Sequence, residues 1–337
     1  MLIVMHKDST DLQIEAVLAK VRATGTECFV SRGDYHTVIG IVGDPEPLEE
    51  LPLAAMSGVE RVQRVTKSYK VVSHEGHPGQ STIEVRGHSI GPDTFTLIAG
   101  PCAVETEQQT IEAAVAAKQA GAHILRGGAY KPRTSPYSFQ GLAEDGLRIL
   151  ELARQETGLP IITEVMDARD VEKVANVADI LQIGTRNMQN FPLLREVGSV
   201  GKPVMLKRGM TATIEEWLMA AEHIGRQGNL QIILCERGIR TFETATRNTL
   251  DISAVPVVRE ESHLPVIIDP SHAAGRRTLV APLSRAAVAV GADGVMIDVH
   301  CEPEKALTDG PQALVPEELM ALSKEIRSLA ESMGRRY

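Results

Sequence analysis

The segment RGGAYKPRTSPYSFQ, residues 126–140, concentrates cationic side chains in a chain that is acidic overall. Arg126, Lys131 and Arg133 fall within this segment, whereas the whole sequence has a formal net charge of -9. An arginine guanidinium binds phosphate or carboxylate through two hydrogen bonds, and a lysine ammonium adds a point charge. The apolar run 123–125 before it is typical of a buried strand, and α/β enzymes bind ligands at strand ends. The pattern predicts an anion-binding loop; a solvated basic loop is the alternative.

Eight short apolar runs recur from Thr96 onward, with helical patterns between them. Unbroken apolar runs are typical of parallel strands that are buried on both faces. Eight strand–helix units over about 240 residues predict an α/β fold, a (β/α)8 TIM barrel preceded by a small domain. A doubly wound open sheet is the alternative, although no G-x-G-x-x-G motif follows the first run. The runs are residues 97–99, 124–125, 160–163, 180–183, 204–206, 232–234, 266–268 and 295–297.

Polar, mostly ionisable residues follow all eight runs, where a TIM barrel carries its active site. Seven of them are cations that could converge on one mouth. Like charges gathered in a cleft repel each other unless anions fill the cleft. The sequence therefore predicts a ligand with several negative charges, and phosphate plus carboxylate fits best. The seven cations are Arg126, Lys131, Arg133, Arg186, Lys207, Arg208 and Arg237.

A second set of residues offers ligands for a metal ion: Cys102, His272, Asp298 and Asp309. A thiolate, an imidazole and two carboxylates form a mixed site for a divalent cation such as Mn, Fe, Co or Zn. Their spacing along the chain is no metal signature. Cys102 has the alternative of a buried thiol, His272 of a hydrogen-bonded loop histidine, and Asp309 of a turn. The four cysteines lie too far apart to indicate a disulfide framework.

Residues 1–67 form a unit of their own in which four strand patterns accompany two helical patterns. The order β-α-β-β-α-β predicts a ferredoxin-like domain. Residues 68–95 are expected to form a polar linker and a short hairpin, and residues 96–337 the barrel. The strands of the first unit are predicted at 2–6, 27–31, 37–42 and 59–65, its second helix at 47–56, and the hairpin at 82–85 and 88–90.

The composition limits the class of partner and the location. Of the 337 residues, 43% are hydrophobic and 23% charged, which is ordinary for a soluble globular protein. An acidic balance argues against nucleic acid as the main partner, since phosphate backbones need a broad basic surface. No apolar run approaches the roughly 18 residues that span a bilayer, and the N-terminal apolar stretch is too short for a secretory signal. A cytoplasmic protein without a membrane partner is expected.

Seven motifs together indicate one family. They are GPCAVE (100–105), RGGAYKPRTSPYSFQG (126–141), IGTRNMQN (183–190), LKRG (206–209), CERGIRTFE (235–243), DPSHAAGRR (269–277) and VHCEPEKALTDG (299–310). These motifs resemble 3-deoxy-D-arabino-heptulosonate 7-phosphate (DAHP) synthase, most closely the microbial subtype with an N-terminal ferredoxin-like regulatory domain. The resemblance covers nearly the whole chain. The sister enzyme that makes 3-deoxy-D-manno-octulosonate 8-phosphate has a KANRS-type sequence where this chain has KPRTS, so the heptulosonate enzyme is favoured.

The resemblance implies the first step of the shikimate pathway. Phosphoenolpyruvate and D-erythrose 4-phosphate condense with water to the seven-carbon keto acid phosphate and release phosphate. A divalent metal would bind the aldehyde oxygen and act as a Lewis acid. By the same resemblance Cys102, His272 and Asp309 are metal ligands, and the catalytic residues are Lys131, Glu164 and the two ligands Cys102 and His272.

The resemblance also assigns the anion-binding side chains. Arg186 and Arg237 would hold the phosphate of phosphoenolpyruvate. Arg126, Lys131 and Lys207 would lie at its carboxylate and bridging region.

The remaining assignments concern the second substrate and the proton. Arg133 and Thr134 would hold the phosphate of erythrose 4-phosphate, and Asp309 is counted among the substrate-binding residues as well. Glu164, just past the third barrel strand, is a candidate for orienting water or Lys207. Lys131, Glu164 and metal-bound water all remain candidates for the general base.

The chain departs from the family pattern at Asp298, where the family usually has Glu before the Val-His pair. Asp is one methylene shorter and reaches about 1.5 Å less. A small backbone shift, a water-bridged contact or an altered metal preference would each accommodate the change. We predict that Asp298 still ligates the metal.

The N-terminal unit is expected to regulate the barrel, because the resemblance implies feedback inhibition by tyrosine or phenylalanine. Ser31, Gly33 and His36, near the turn after the second strand, are the candidate effector contacts. The alternative is a stabilising appendage, and a homotetramer is the family expectation. Two rival functions are an octulosonate 8-phosphate synthase and a non-catalytic barrel that senses phosphorylated sugars or amino acids.

Overall fold

The structure is a computed structural model that describes residues 1–33, 36–42, 48, 51–63 and 68–337. Two compact units divide the chain: Met1–Gly79 with Glu261–His263, and Gln80–Glu260 with Leu264–Tyr337. Within the described residues, no helix combines the length and the apolar character that a bilayer-spanning segment requires.

Among its described residues, the first unit contains a sheet of four antiparallel strands and one long helix. These are β1 (Leu2–Met5), α1 (Asp11–Arg22), β2 (Glu27–Arg32), β3 (Thr37–Val42) and β4 (Val59–Gln63). The strand order β2-β3-β1-β4 confirms the ferredoxin-like prediction. The predicted second helix, 47–56, and the end of the last predicted strand, 59–65, lie partly outside the described residues. The described part of that helix contains a short 3₁₀ helix, Leu53–Ala55.

Helix α1 begins at a capping box formed by Thr10 and Gln13. The Thr10 side chain accepts a hydrogen bond from the Gln13 amide, and the Gln13 side chain accepts one from the Thr10 amide at 2.8 Å. Ile14, Val17 and Leu18 recur at helical spacing and lie in one buried cluster with apolar side chains of the sheet. The first unit therefore has a core of its own.

The second unit contains ten strands and nine helices among its described residues. The strands are β5 (Ile83–Val85), β6 (His88–Ile90), β7 (Thr96–Gly100), β8 (Ile124–Arg126), β9 (Ile161–Glu164), β10 (Ile180–Ile183), β11 (Val204–Lys207), β12 (Ile232–Glu236), β13 (Val266–Ile268) and β14 (Gly294–Asp298). The helices are α2 (Glu107–Gln119), α3 (Glu144–Thr157), α4 (Val171–Val177), α5 (Phe191–Ser199), α6 (Ile214–Gly225), α7 (Ala254–Glu261), α8 (Pro270–Ala274), α9 (Arg277–Ala289) and α10 (Pro316–Ser332).

Strands β7 to β14 close into a parallel barrel, in which β14 pairs with β7. The closure confirms the predicted TIM barrel. Ile124 and Met205 belong to the buried cluster inside the barrel. Because successive side chains of a strand face opposite sides, the residues two positions later, Arg126 and Lys207, face the interior again. The same alternation directs the ends of the other strands and therefore decides which side chains reach the site.

The hairpin of β5 and β6 closes the barrel at the end where its strands begin. Ile83, Val85 and Ile90 belong to the same buried cluster as the interior barrel residues. Arg86, in the turn of the hairpin, donates a hydrogen bond of 2.5 Å to Asp179, directly before β10. The opposite end of the barrel, at the carboxyl ends of the strands, carries the cavity.

Candidate active site

A cavity of about 310 Å³ lies at the carboxyl ends of the barrel strands. Its lining includes seven cationic side chains of the described residues, together with Glu164 and Asp309. The chain as a whole carries a net charge of -9, so positive charge is concentrated here. The cations are Arg126, Lys131, Arg133, Arg186, Lys207, Arg237 and Arg247.

The prediction that Arg208 faces this cavity is wrong. Its Nη1 atom lies 2.9 Å from Glu236 and 2.7 Å from Asp251, and its guanidinium carbon lies 5.9 Å from the ring centre of Trp217 in α6. Successive residues along a strand face opposite sides. Lys207 therefore faces the cavity, while Arg208 faces the helix layer.

Arg247 is the seventh cation that lines the cavity, and it was not among the cations predicted from the sequence. It lies in the long loop between β12 and α7, eleven residues beyond the last residue of β12. Its amide donates to the Ala274 carbonyl at 3.1 Å, and the Asn248 amide donates to the Ala273 carbonyl at 2.9 Å. These bonds fasten the loop to α8. Such a tertiary contact brings Arg247 to the site, and no sequence pattern indicated it.

The predicted ligands Cys102, His272 and Asp309 meet at one point of the cavity. The Cys102 Sγ atom lies 3.2 Å from Asp309 Oδ2 and 3.8 Å from His272 Nε2. His272 Nε2 lies 3.6 Å from Asp309 Oδ2. A sulfur, a ring nitrogen and a carboxylate oxygen at these separations can share one cation, and the donor set suits a borderline-soft divalent metal.

The imidazole of His272 is oriented by Asp269, which caps the short helix α8. The Asp269 Oδ1 atom accepts a hydrogen bond of 2.9 Å from the His272 amide, and Oδ2 lies 2.9 Å from His272 Nδ1. Burial lowers the pKa of His272 to about 3, so the ring is neutral near pH 7. A proton on Nδ1 leaves the Nε2 lone pair directed at Cys102 and Asp309, as metal ligation requires.

Asp298, like Asp269, lies near the Nδ1 atom of the His272 ring. Its Oδ1 atom forms an ion pair with the Arg126 guanidinium, and its Oδ2 atom accepts a hydrogen bond of 2.6 Å from Gln312. Oδ2 also lies 3.6 Å from His272 Nδ1. One ligand-type atom each from Cys102, His272 and Asp298 lies within 4.8 Å of the others. The structure thus brings Asp298 to the site, and direct ligation by it stays a prediction.

Lys131 and Arg126 converge on Cys102. The Lys131 ammonium donates to the Cys102 carbonyl at 2.9 Å and to Sγ at 3.1 Å, and Arg126 donates to the same carbonyl at 3.1 Å. Lys131 is held in place by its own amide, which donates to the Gln140 carbonyl at 3.0 Å across the base of the loop. The predicted catalytic lysine and the predicted thiolate ligand are therefore neighbours.

Glu164 ends β9 and is buried, with an exposed fraction of 7%. Burial raises the pKa of its carboxyl, although Lys131, Lys207 and other nearby cations oppose the shift. Its Oε1 atom has no hydrogen-bond partner among the described residues. Gly184 makes room for it, because a Cβ atom at that position would lie 2.0 Å from Oε1. The carboxyl group therefore has an unused polar atom in the predicted site.

The other predicted anion-binding residues differ in depth. Arg237 is buried, with an exposed fraction of 5%. Thr134 and Arg186 are exposed, and Arg133 is half-buried. All four line the cavity. The buried cations therefore define an inner part of the cavity and the loop after β8 an outer part.

The candidate effector residues lie in the first unit. His36 lines a second cavity of about 510 Å³, where its Nδ1 atom lies 3.3 Å from Glu60. Ser31 belongs to β2 and pairs with Val38, and the Gly33 amide donates to the His36 carbonyl at 3.0 Å. Neither Ser31 nor Gly33 lines this cavity. A role for the three residues in effector binding stays a prediction.

Comparison with known families agrees with this geometry. Residues 70–334 match the family described as "DAHP synthetase I family", and residues 1–67 match the "DAHP synthase ferredoxin-like domain". The chain belongs to the DAHP synthetase I family. The resemblance seen in the motifs and the prediction of an enzyme of this family are confirmed.

Two relatives of the chain carry different enzyme names. The phospho-2-dehydro-3-deoxyheptonate aldolase of Thermotoga maritima is 52% identical over 334 residues, which cover 99% of each chain. A 2-dehydro-3-deoxyphosphooctonate aldolase of Syntrophobacter fumaroxidans is 33% identical over 261 residues, covering 72% of this chain and 90% of that protein. The crystal structure of the Thermotoga maritima DAHP synthase has 51% identity and a TM-score of 0.79, and the match covers 99% of this chain and 98% of that one.

Proposed function

We propose that this family member condenses phosphoenolpyruvate with D-erythrose 4-phosphate and water to DAHP and phosphate, the first step of the shikimate pathway. The observation that carries the proposal is the convergence of seven cations and a Cys–His–Asp cluster in one barrel mouth. Two phosphorylated substrates, one of them also a carboxylate, supply the anions that such a concentration of positive charge requires.

The different burial of the cations supports an arrangement of the two substrates in the inner and outer parts of the cavity. Arg126, Lys207 and Arg237 are buried, so the compact phosphoenolpyruvate, with its carboxylate and phosphate, occupies the inner part, and the exposed Arg186 binds its phosphate from the cavity entrance. Arg133 and Thr134 lie further out and hold the phosphate of the longer erythrose 4-phosphate. The aldehyde end of the sugar then points inward toward the Cys102 cluster.

The bonds that form and break follow from this placement. C3 of phosphoenolpyruvate forms a bond with the aldehyde carbon, and the aldehyde oxygen takes up a proton to become a hydroxyl group. Positive charge develops at C2, where water adds and loses a proton. Phosphate then leaves as the bond between C2 and its bridging oxygen breaks, and it takes up the proton that the C2 hydroxyl group loses in forming the ketone. The cationic side chains around the phosphate stabilise the departing group, since charges already fixed in place act on the negative charge that develops there.

Cys102, His272 and Asp309 are proposed to hold a divalent metal, with Asp298 as a further ligand. The residues fit, because the mutual distances are short and the neutral His272 offers its Nε2 lone pair. When bound, the ion supplies Lewis-acid activation of the aldehyde. Lys131 and Glu164 are the proposed proton carriers: Lys131 donates to Cys102, and burial raises the pKa of Glu164 so that it can hold a proton.

A phosphate-release assay with two aldehydes tests the proposal. The purified protein is treated with EDTA, then assayed with phosphoenolpyruvate and either erythrose 4-phosphate or arabinose 5-phosphate, with and without Mn²⁺. We expect turnover only with erythrose 4-phosphate and added metal. Turnover with arabinose 5-phosphate alone would show an octulosonate synthase, and no turnover with either sugar would favour the non-catalytic barrel. Full turnover by a protein that elemental analysis shows to be metal-free would contradict the proposed role of the metal.

The first unit is proposed to bind tyrosine or phenylalanine and to inhibit the barrel. The match of residues 1–67 to the ferredoxin-like domain of this family supports regulation, and the cavity at His36 and Glu60 offers groups for an amino acid. A truncated form of the Thermotoga maritima enzyme, 52% identical with a TM-score of 0.74, matches 79% of this chain and 98% of its own. Removal of residues 1–67 should therefore leave a folded barrel that tyrosine and phenylalanine no longer inhibit. An unchanged inhibition curve would contradict the proposal.

A homotetramer in the cytoplasm is the remaining part of the proposal. It is supported by the family membership. Sedimentation velocity of the full chain should give one species of four times the monomer mass of 36.5 kDa.

A further inference from the structure

Arg247 and Gln312 connect the two carboxylates that flank His272. The Arg247 Nη1 atom donates a hydrogen bond of 3.0 Å to Asp309 Oδ1 and one of 3.0 Å to Gln312 Oε1. Gln312 in turn donates from Nε2 to Asp298 Oδ2 at 2.6 Å. A continuous series of hydrogen bonds therefore runs from Asp309 through Arg247 and Gln312 to Asp298.

The orientation of the Gln312 amide is determined by its two partners. A guanidinium only donates hydrogen bonds, and an ionised carboxylate only accepts them. The amide oxygen must therefore face Arg247 and the amide nitrogen must face Asp298. Gln312 is 2% exposed, so water cannot readily replace either partner. A side chain that accepts at one end and donates at the other is what this position requires.

Arg247 is held from its backbone side, although its guanidinium is partly exposed. Its amide bonds to the Ala274 carbonyl in α8, the helix that carries His272. Its stem packs over Gly275, where a Cβ atom would lie 2.7 Å from the Arg247 Cβ. The base of the arginine is therefore fixed relative to His272.

Asp309 has a backbone φ of 55°, in the left-handed region that residues other than glycine rarely adopt. Such a backbone conformation is unfavourable in free energy by itself and persists only where surrounding contacts stabilise it. The bond from Arg247 to Oδ1 is one such contact, and it leaves Oδ2 directed at Cys102 and His272.

We infer that Arg247 and Gln312 are positioning residues of the metal centre. Arg247 bonds Oδ1 of Asp309 and so would leave Oδ2 for the metal, and Gln312 fixes the carboxylate of Asp298, the proposed further ligand. The inference rests on the proposed metal site and adds to it the two side chains that determine where its carboxylates lie. Groups that orient metal ligands through hydrogen bonds typically contribute about 10- to 100-fold to metal affinity.

Co²⁺ binding by the full-length protein tests the inference. Affinity is measured by competition with a chelator, and the absorption bands of the Co²⁺–thiolate centre report the geometry around Cys102. R247Q removes the donor to Asp309, and Q312E keeps the size of the side chain but replaces the donor to Asp298 with a carboxylate. We expect each variant to bind Co²⁺ about 10- to 100-fold more weakly and to shift the absorption bands. The effects of the double variant should be less than additive, because one series of bonds is interrupted twice.

R240Q is the matched control, since Arg240 is an exposed arginine of the same loop that does not line the cavity. It should bind Co²⁺ as the wild type does. The thermal midpoint of each metal-free variant shows whether it is folded. If Q312E does not fold, the R247Q variant alone tests the inference, because Arg247 is partly exposed and its replacement should leave the fold intact. Wild-type affinity and bands in R247Q would overturn the inference while leaving the metal site intact. A wild-type protein that takes up no Co²⁺ would overturn both.

Discussion

Two buried carboxyl groups of the barrel mouth have pKa values shifted in opposite directions. Burial raises the pKa of Glu164, and the cations around it do not compensate. Burial also acts on Asp269, but His272 and Lys207, together with the hydrogen bonds of the cap, hold its pKa well below the usual range. Because both groups are buried, their charged and hydrogen-bonded partners decide the opposite directions of the two pKa shifts. Asp269 remains an anion that orients His272, and the raised pKa suits Glu164 to the proton transfer proposed for it.

Substitution of Gly184 by Ala should displace the Glu164 carboxyl group. The added Cβ would lie 2.0 Å from Oε1, so the carboxyl group has to move. We expect kcat/KM to fall about 100-fold, since a misplacement of roughly 1 Å in an active site has effects of this size. The thermal midpoint should change little, because the displaced atoms end a flexible side chain. Steady-state assays and thermal denaturation measure the two effects.

The E164A background provides the control for this substitution. Without the carboxyl group the added methyl group meets no oxygen, so G184A should cause no further loss of kcat/KM there. A G184A enzyme with wild-type activity would show that the position of the Glu164 carboxyl group does not matter for the reaction.

Three of the predicted site residues that line the cavity share one property. Arg126, Glu164 and Lys207 stand two positions after an interior residue of their strands, so alternation directs them into the cavity. The same rule, applied to Arg208, would have placed it outside. Arg247 could not be found in this way, because its position depends on hydrogen bonds between a loop and α8.

At the scale of elements, a buried ion pair fastens the loop between β12 and α7. Arg208 bonds both Glu236, at the end of β12, and Asp251, at the far end of the loop, at 2.9 and 2.7 Å. Glu236 also accepts a hydrogen bond of 2.6 Å from the Gly238 amide. The arginine that does not reach the cavity therefore joins the two ends of the loop that carries Arg237 and Arg247.

Substitution of Arg208 by Met should destabilise the protein by about 3 to 5 kcal/mol, because it leaves the buried Glu236 carboxylate without its partner. The R148M variant is the control: Arg148 forms an exposed pair with Glu107 at 3.4 Å, and its loss should cost about 1 kcal/mol or less. Urea denaturation of both variants compares the free energies of unfolding. Equal losses would show that the Arg208 pair does not stabilise the loop.

Element types were more predictable from the sequence than element contacts. The eight barrel strands and the hairpin lie where apolar runs predict them, because burial on both faces leaves a strong pattern. The pairing of the hairpin with the barrel core is not visible in that pattern. It depends on which apolar faces meet, and Ile83, Val85 and Ile90 could equally have packed elsewhere.

At the scale of the whole molecule, net charge conceals the distribution that matters for function. A chain with a net charge of -9 gathers seven cations in one cavity, and its acidic residues lie largely elsewhere. The composition argued against nucleic acid, but it could not locate a binding site for small anions. The strand-end positions predicted the cationic cavity, because barrel closure brings residues that are far apart in sequence to one mouth.

Acid should destabilise the folded chain partly through His123, directly before β8. Burial, followed by the charges of His88 and Arg327, lowers the pKa of His123 to about 4, from 6.5. As the pH falls below about 6.5, the unfolded chain binds a proton here and the folded chain does not, so stability falls until about pH 4. Between pH 7 and pH 4.5 the wild type should lose about 2 kcal/mol more than H123N, in which the Asn oxygen can still accept from the Leu97 amide as Nδ1 does at 3.0 Å. Urea denaturation at the two pH values measures the difference, with the exposed-site variant H6N as control. Parallel losses in the wild type and H123N would show that His123 is protonated equally well in the folded barrel.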